Sequence, residues 1–181
     1  MVLLVAGFFW LRGLTKDDYI DLGTDTAIGI TPTQIQSIKA IGEWEFLAVS
    51  AEELVDTVRK GLLMNDELAR IYYGTLRLGI NMHQVKPGWM EVRGDSVTMV
   101  LPAIGLLDKD FIDEARTKSF YESGSWKSAD REALYKKAYR MMRQHCMTKE
   151  NLRAAETNGE EQFRNMLRSM GYKHVRITFE N

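Results

Sequence analysis

The sequence contains almost no cysteine and little proline. Of its 181 residues, one is a cysteine, Cys146, and three are prolines. A single cysteine excludes a disulfide within the chain and a cluster of thiolate metal ligands. The scarcity of proline and the lack of low-complexity runs argue against a long disordered linker. With 45% hydrophobic and 27% charged residues, the composition is ordinary for one folded domain.

The chain also lacks an excess of either charge. Its 24 basic and 25 acidic residues give a formal net charge of −1. Proteins that bind nucleic acid usually carry a basic excess, so this balance argues against nucleic acid as a partner. One helix, predicted from Lys127 to Lys149, is locally basic. A solvated helix face is the ordinary explanation, and contact with an anionic lipid or nucleic acid is the alternative.

No apolar run is long enough to cross a membrane by itself. The run Met1–Leu11 is apolar and ends at Arg12, whereas a spanning helix needs about 20 such residues. No charge precedes the run in this sequence and no small-residue cleavage site follows it, so an ordinary signal peptide is not expected. Trp10 and Arg12 are typical of the interfacial end of a membrane helix. A buried strand or short core helix is the alternative.

The pattern after this run divides the chain into a connecting segment, residues 14–30, and a domain, residues 31–181. Thr31 and Pro32 are typical of a helix start, and Gly42 of its end. Alternating apolar and polar residues predict strands over residues 44–49, 72–82, 89–92, 97–101, 115–121 and 175–179. Residues 52–60 fit either a helix or a continuing strand. Gly94-Asp95 predicts a hairpin turn.

The last third of the domain predicts two helices. Ser128 and Thr148 are the N-cap candidates, and Gly171 is a typical residue just after a helix end. The stripes expected to face the core are Leu134, Ala138, Met141 and His145 in the first helix, and Leu152, Ala155, Gly159, Phe163, Met166 and Met170 in the second. The sequence thus predicts an α+β domain: a mostly antiparallel sheet, C-terminal helices packed on one face, and a final strand that returns to the sheet.

Three apparent motifs are better explained by ordinary structure. His145 and Cys146 are adjacent on a helix and point about 100° apart, so they cannot act as a base and nucleophile pair. The acidic stretch 108–114 lacks the glycine and the glutamate that an EF-hand calcium loop requires. Arg93-Gly94-Asp95 stands where a hairpin needs its turn. The sequence therefore predicts no catalytic residue, no metal site and no cofactor.

Two arginines give the candidate ligand site. Arg77 lies on the polar face of the strand 72–82, and Asn81 follows on the same face. Arg59 is expected nearby if residues 52–60 also form a strand. Paired arginines on an open sheet face can hold a carboxylate or a phosphate. We therefore predict an anion or ligand site at Arg77, Arg59 and Asn81.

Several stretches carry a family resemblance. They include LRLGIN at residues 76–81, DSVTMVLP at residues 95–102, and Gly171-Tyr172 before the last strand. From Ile35 to Glu180 the chain resembles the bacterial family catalogued as domain of unknown function 4230. Members typically carry one membrane helix close to the N-terminus, so the resemblance implies that residues 1–13 form part of an anchor. It implies no activity and no catalytic residues.

The resulting hypothesis is a membrane-tethered domain of the bacterial cell envelope that acts as a non-catalytic binding or scaffolding module. The expected partners are the membrane, through the N-terminal segment, and a protein or a second copy of the chain. The expected location is the cell membrane, with a single-pass anchor. The family's usual arrangement favours the extracytoplasmic side, whereas Arg12 and Lys16 favour the cytoplasmic side. The alternative is a small hydrolase or transferase with its site near Arg77.

Overall fold

The computed structural model describes residues 32–180. The predictions made for residues 1–13, for residues 14–30 and for Thr31 lie outside the described residues. Within the described part of the chain, no helix combines the length and the apolar character that crossing a membrane requires.

Residues 32–180 form three α-helices, seven β-strands and one turn of 3₁₀-helix. In chain order they are α1 (Pro32–Ala40), β1 (Glu43–Arg59), β2 (Asp66–Asn81), the 3₁₀ turn (Met82–Gln84), β3 (Met90–Arg93), β4 (Ser96–Leu101), β5 (Gly105–Leu106), β6 (Ile112–Glu122), α2 (Ser128–Cys146), α3 (Lys149–Ser169) and β7 (His174–Phe179). The α+β class is confirmed, as is the start of α1 at Pro32, and each segment predicted to be extended is strand except for Met82 and Trp89 at two of the ends.

The first sheet is built around the long antiparallel hairpin of β1 and β2. Its register runs from Glu43 opposite Asn81 to Arg59 opposite Asp66, with one bulge between Glu45 and Leu47. The short β5 and the longer β6 pair antiparallel with the other edge of β2. The segment 52–60, which the sequence left open, is therefore strand as far as Arg59.

The second sheet has the order β3-β4-β7. The β3–β4 hairpin turns at Gly94, whose φ of 58° is the left-handed conformation that glycine adopts most easily. The final strand does return to a sheet, and it pairs in parallel with β4. The alternation of β7 predicts a half-buried strand but cannot show which of two sheets the strand joins.

The helices α2 and α3 cover one face of the first sheet and form two buried clusters with it. In one cluster α2 packs on β1 and β2 through Leu134, Ala138, Met142 and Cys146. In the other, α3 packs on β1, β2 and the second sheet through Ala155, Phe163 and Leu167. The opposite face of the first sheet, here called the open face, has no helix on it in the described part of the chain.

Three details of the helix predictions are wrong. The N-cap of α2 is Lys127, not Ser128, because the Asp130 carboxylate accepts a hydrogen bond from the Lys127 backbone N–H at 2.8 Å. The buried stripe of α2 ends with Met142 and Cys146 instead of Met141 and His145, since it advances by four residues at each step. The His145 side chain is 60% exposed. Thr148 is confirmed as the N-cap of α3, where its hydroxyl accepts from the Asn151 N–H.

Candidate functional site

Arg77, the first predicted site residue, is held by two carboxylates on the open face. Its Nε donates to Glu45 Oε2 at 2.5 Å, and its Nη1 donates to Asp108 Oδ2 at 2.7 Å. The hydrogen bond that Arg77 donates to Glu45, and then the one that it donates to Asp108, raise the pKa of Arg77 above its ordinary value. Two acids thus compensate the charge of this guanidinium.

Arg59 lies far from Arg77. Arg77 pairs with Ala48 of β1, and Arg59 lies further along the same strand. At about 3.3 Å per residue, the stretch of β1 from Ala48 to Arg59 puts about 36 Å between the two arginines. The side chains also point to opposite faces, because Ala48 and Arg59 are an odd number of residues apart. Arg59 contacts the start of α2, where its Nη2 donates to Asp130 Oδ2 at 2.9 Å and its guanidinium stacks over Trp126 at 4.4 Å.

Asn81 has a local role at the end of β2. Its Oδ1 accepts a hydrogen bond from the His83 backbone N–H at 2.9 Å and caps the 3₁₀ turn. The structure therefore places Asn81 on the same face as Arg77 but does not bring Arg77, Arg59 and Asn81 to one site. Anion binding by any of the three stays a prediction.

The two residues of the apparent His-Cys pair point to different places. The Nδ1 atom of His145 contacts Glu53 Oε1 on β1 at 2.5 Å. Cys146, the last residue of α2, is 3% exposed and packs into the buried cluster between that helix and the sheet. Burial raises the pKa of its thiol. The sulfur is therefore a protonated core atom, and the two side chains point apart as the helical geometry predicts.

A different cavity has the features of a binding site. It measures about 430 Å³ and lies between α2 and the strands β2 and β6; we call it the α2 pocket. Its strand wall includes Arg70, Tyr72 and Glu114, and its helix wall includes Arg131, Tyr135 and Lys136. This volume lies within the range of roughly 300 to 1,000 Å³ that is typical of small-molecule sites.

Local sequence explains how these side chains reach the pocket. The alternation of β2 places Arg70 and Tyr72 on the helix-covered face, between the buried Leu68 and Leu76. Ile71 pairs with Lys118 of β6, but Tyr73, two residues later, pairs with Asp113. β6 therefore has more residues than β2 over this stretch, and residues 114–117 form a bulge. A bulge re-aims side chains, and here it brings Glu114 to the rim of the pocket.

Two charges on the helix wall are compensated by neighbouring acids. Arg131 donates to both carboxylate oxygens of Glu122, at 2.6 and 3.2 Å. Lys136 forms an ion pair with Glu132 at 2.7 Å, one helical turn earlier. These contacts lower the pKa of Glu122 and the pKa of Glu132. Both pairs are satisfied without a ligand.

The strand wall, in contrast, carries unsatisfied polar atoms. Tyr72 is 2% exposed, and within residues 32–180 neither its Oη nor the buried Nε of Arg70 has a hydrogen-bond partner. Burial raises the pKa of Tyr72, and the nearby Arg70 guanidinium offsets part of that rise. The hydroxyl is therefore protonated at neutral pH and, like the Arg70 N–H, is a donor without an acceptor. Such groups are rare in folded proteins and cost about 1–3 kcal/mol each.

A second cavity of about 560 Å³ lies on the open face, with Leu54, Phe120 and Tyr121 in its wall. None of the unpartnered buried atoms found in the described chain belongs to its wall, and Arg77 lines neither cavity. The α2 pocket is therefore the better candidate site. The basic character of the helix that carries Arg131 and Lys136 is evident in the sequence, whereas Arg70 was not predicted as a site residue. The available signal was an arginine on the apolar face of β2.

Comparison with known proteins identifies a family. A family model described as "Protein of unknown function (DUF4230)" matches residues 36–177. Neither a curated protein nor a solved structure is significantly similar to this chain. The match covers the α2 pocket, the first sheet and most of the second sheet.

Proposed function

The chain belongs to the DUF4230 family of proteins of unknown function, and we propose that it is a non-catalytic, membrane-tethered binding module of the bacterial envelope. Its α2 pocket holds a small ligand. The observation that carries this proposal is the pair of buried donors without acceptors, Tyr72 Oη and Arg70 Nε, in the wall of one cavity. Neither atom is accessible with the side chains as they lie, so a ligand oxygen accepts from them once the flexible Arg70 side chain turns towards the pocket.

The chemistry of the pocket favours binding over catalysis. Arg70 and the protonated Tyr72 hydroxyl offer hydrogen bonds to a carboxylate or phosphate oxygen, and guanidinium groups suit that geometry. The sulfur of the only cysteine is buried outside the pocket. The enzyme alternative near Arg77 is not favoured, because Arg77 lines neither cavity, although Glu45 and Asp108 lie within hydrogen-bond reach of it.

The Tyr72→Phe substitution tests whether the hydroxyl lacks a partner. It removes a buried donor whose desolvation is uncompensated, so we expect the free energy of unfolding of the ligand-free protein to rise by about 1 kcal/mol. Urea denaturation measures the change. Tyr121→Phe, at a side chain that is 51% exposed, is the matched control and should change it by less than about 0.5 kcal/mol. An unchanged or lower unfolding free energy for Tyr72→Phe would contradict the proposal.

The tether part of the proposal is supported by the apolar run Met1–Leu11 and by the family resemblance. The full chain, expressed in bacteria, is expected to sediment with membranes and to remain there after a high-salt wash, because apolar insertion is insensitive to salt whereas surface ion pairs are screened. A chain without residues 1–13 should appear in the soluble fraction. Recovery of the full chain in the soluble fraction would count against a tether.

A further inference from the structure

We infer that the ligand of the α2 pocket is a zwitterion of the amino-acid class, with its carboxylate on Arg70 and Tyr72 and its ammonium group on Glu114. The inference rests on the proposed function and adds the chemical identity of the ligand. It follows from which charges in the pocket wall are already compensated and which are not.

One cation and one acid in the pocket wall have no ion-pair partner. Arg131 is paired with Glu122, and Lys136 is paired with Glu132. Among residues 32–180, Arg70 forms no salt bridge; its guanidinium lies beside Tyr72, 5.8 Å from the ring centroid, and attracts Glu122 only through space. Glu114 likewise forms no ion pair or hydrogen bond in the described chain. A complementary ligand therefore carries one group of each sign.

A simple anion fits this wall less well than a zwitterion does. Burial is the main cause of the raised pKa of Tyr135, and the negative charge of Glu114 adds to it. The same charge makes a smaller contribution at Tyr72. The negative charge of Glu114 thus acts at the two tyrosine hydroxyls, beside which a ligand carboxylate would lie. It would repel that carboxylate, because like charges repel. A ligand ammonium group beside Glu114 removes that repulsion.

The rest of the wall suits a compact organic body. Tyr72 and Tyr135 meet edge to face, with ring centroids 6.2 Å apart, and they give the pocket an aromatic side. Aromatic rings pack against apolar side chains and attract ammonium groups. The volume of about 430 Å³ accommodates a single amino acid with a large side chain, which is near the lower end of small-molecule sites.

Calorimetric titration of the full chain with three matched probes tests the inference. Phenylalanine carries both charged groups, 3-phenylpropionate lacks the ammonium group, and 2-phenylethylamine lacks the carboxylate. We expect phenylalanine to bind at least about tenfold more tightly than either analogue, because each analogue leaves one charged wall residue without a partner. Alanine, propionate and ethylamine form a second set that removes any effect of the large side chain.

The Glu114→Gln variant separates the two proposals. It should weaken phenylalanine binding by roughly tenfold, to about the affinity of 3-phenylpropionate, and should not weaken 3-phenylpropionate. Glu161→Gln, at an exposed residue of α3 outside the pocket, should change neither. Equal binding of phenylalanine and 3-phenylpropionate to the unaltered chain overturns the zwitterion but leaves the binding module standing. If no probe binds in a manner that depends on Arg70, both proposals fail.

Discussion

Replacing Phe163 with alanine is expected to lower the free energy of unfolding by about 4 kcal/mol, the usual cost of deleting a fully buried phenylalanine ring. Phe163 is 0% exposed. Its ring lies 4.7 Å from that of Trp44 and meets Phe46 edge to face at 6.1 Å, centroid to centroid. The substitution therefore removes apolar burial and two aromatic contacts, and it leaves a cavity beneath α3.

The effect is large because Phe163 belongs to the cluster that joins the two sheets. That cluster contains Leu78 and Ile80 of β2 together with Met99 and Leu101 of β4. Urea denaturation measures the loss. Phe120→Ala is the matched control, because Phe120 is 64% exposed and its removal should cost less than about 0.5 kcal/mol. A loss below about 1 kcal/mol for Phe163→Ala would contradict the packing described for α3.

Much of the fold could be predicted because local patterns report burial directly. The alternation along β2 identifies which side chains face the helices, and the glycine at position 94 identifies a turn. The segment 52–60 could not be assigned in this way, because Leu54, Val55 and Val58 suit a helical face, whereas Val55, Thr57 and Arg59 suit a continuing strand. Pairing with β2 makes this segment a strand. Strand pairing is a long-range contact, which a local sequence pattern does not reveal.

The predicted buried stripe of α2 was partly wrong for a similar reason. The choice between Met141 and Met142, or between His145 and Cys146, depends on how α2 is rotated against the sheet. A one-residue difference turns a helix by about 100°. Periodicity shows that a helix has an apolar stripe. Where apolar residues also flank that stripe, only the surface that the helix packs on decides which of them are buried.

The candidate site was the hardest part to predict. Arg77 looked free in the sequence, yet Glu45 of β1 and Asp108 of the loop after β5 both bind it. Those partners come from segments 32 and 31 residues away. Arg70 belongs to a pocket that exists only because α2 packs beside β2 and a bulge in β6 reaches over it. The one local signal was an arginine among apolar neighbours.

The central claim, that ligands bind in the α2 pocket through Arg70, is tested most directly by titrating 3-phenylpropionate into three forms of the full chain. The probe carries only the carboxylate, so the result does not depend on the zwitterion. Loss of a hydrogen bond to a charged group costs about 1.5–3 kcal/mol, so Arg70→Met should weaken binding by between about tenfold and about 150-fold. Arg77→Met, the matched change on the open face, should leave the affinity within about twofold. Binding that survives Arg70→Met, or that is lost in Arg77→Met alone, would contradict the claim.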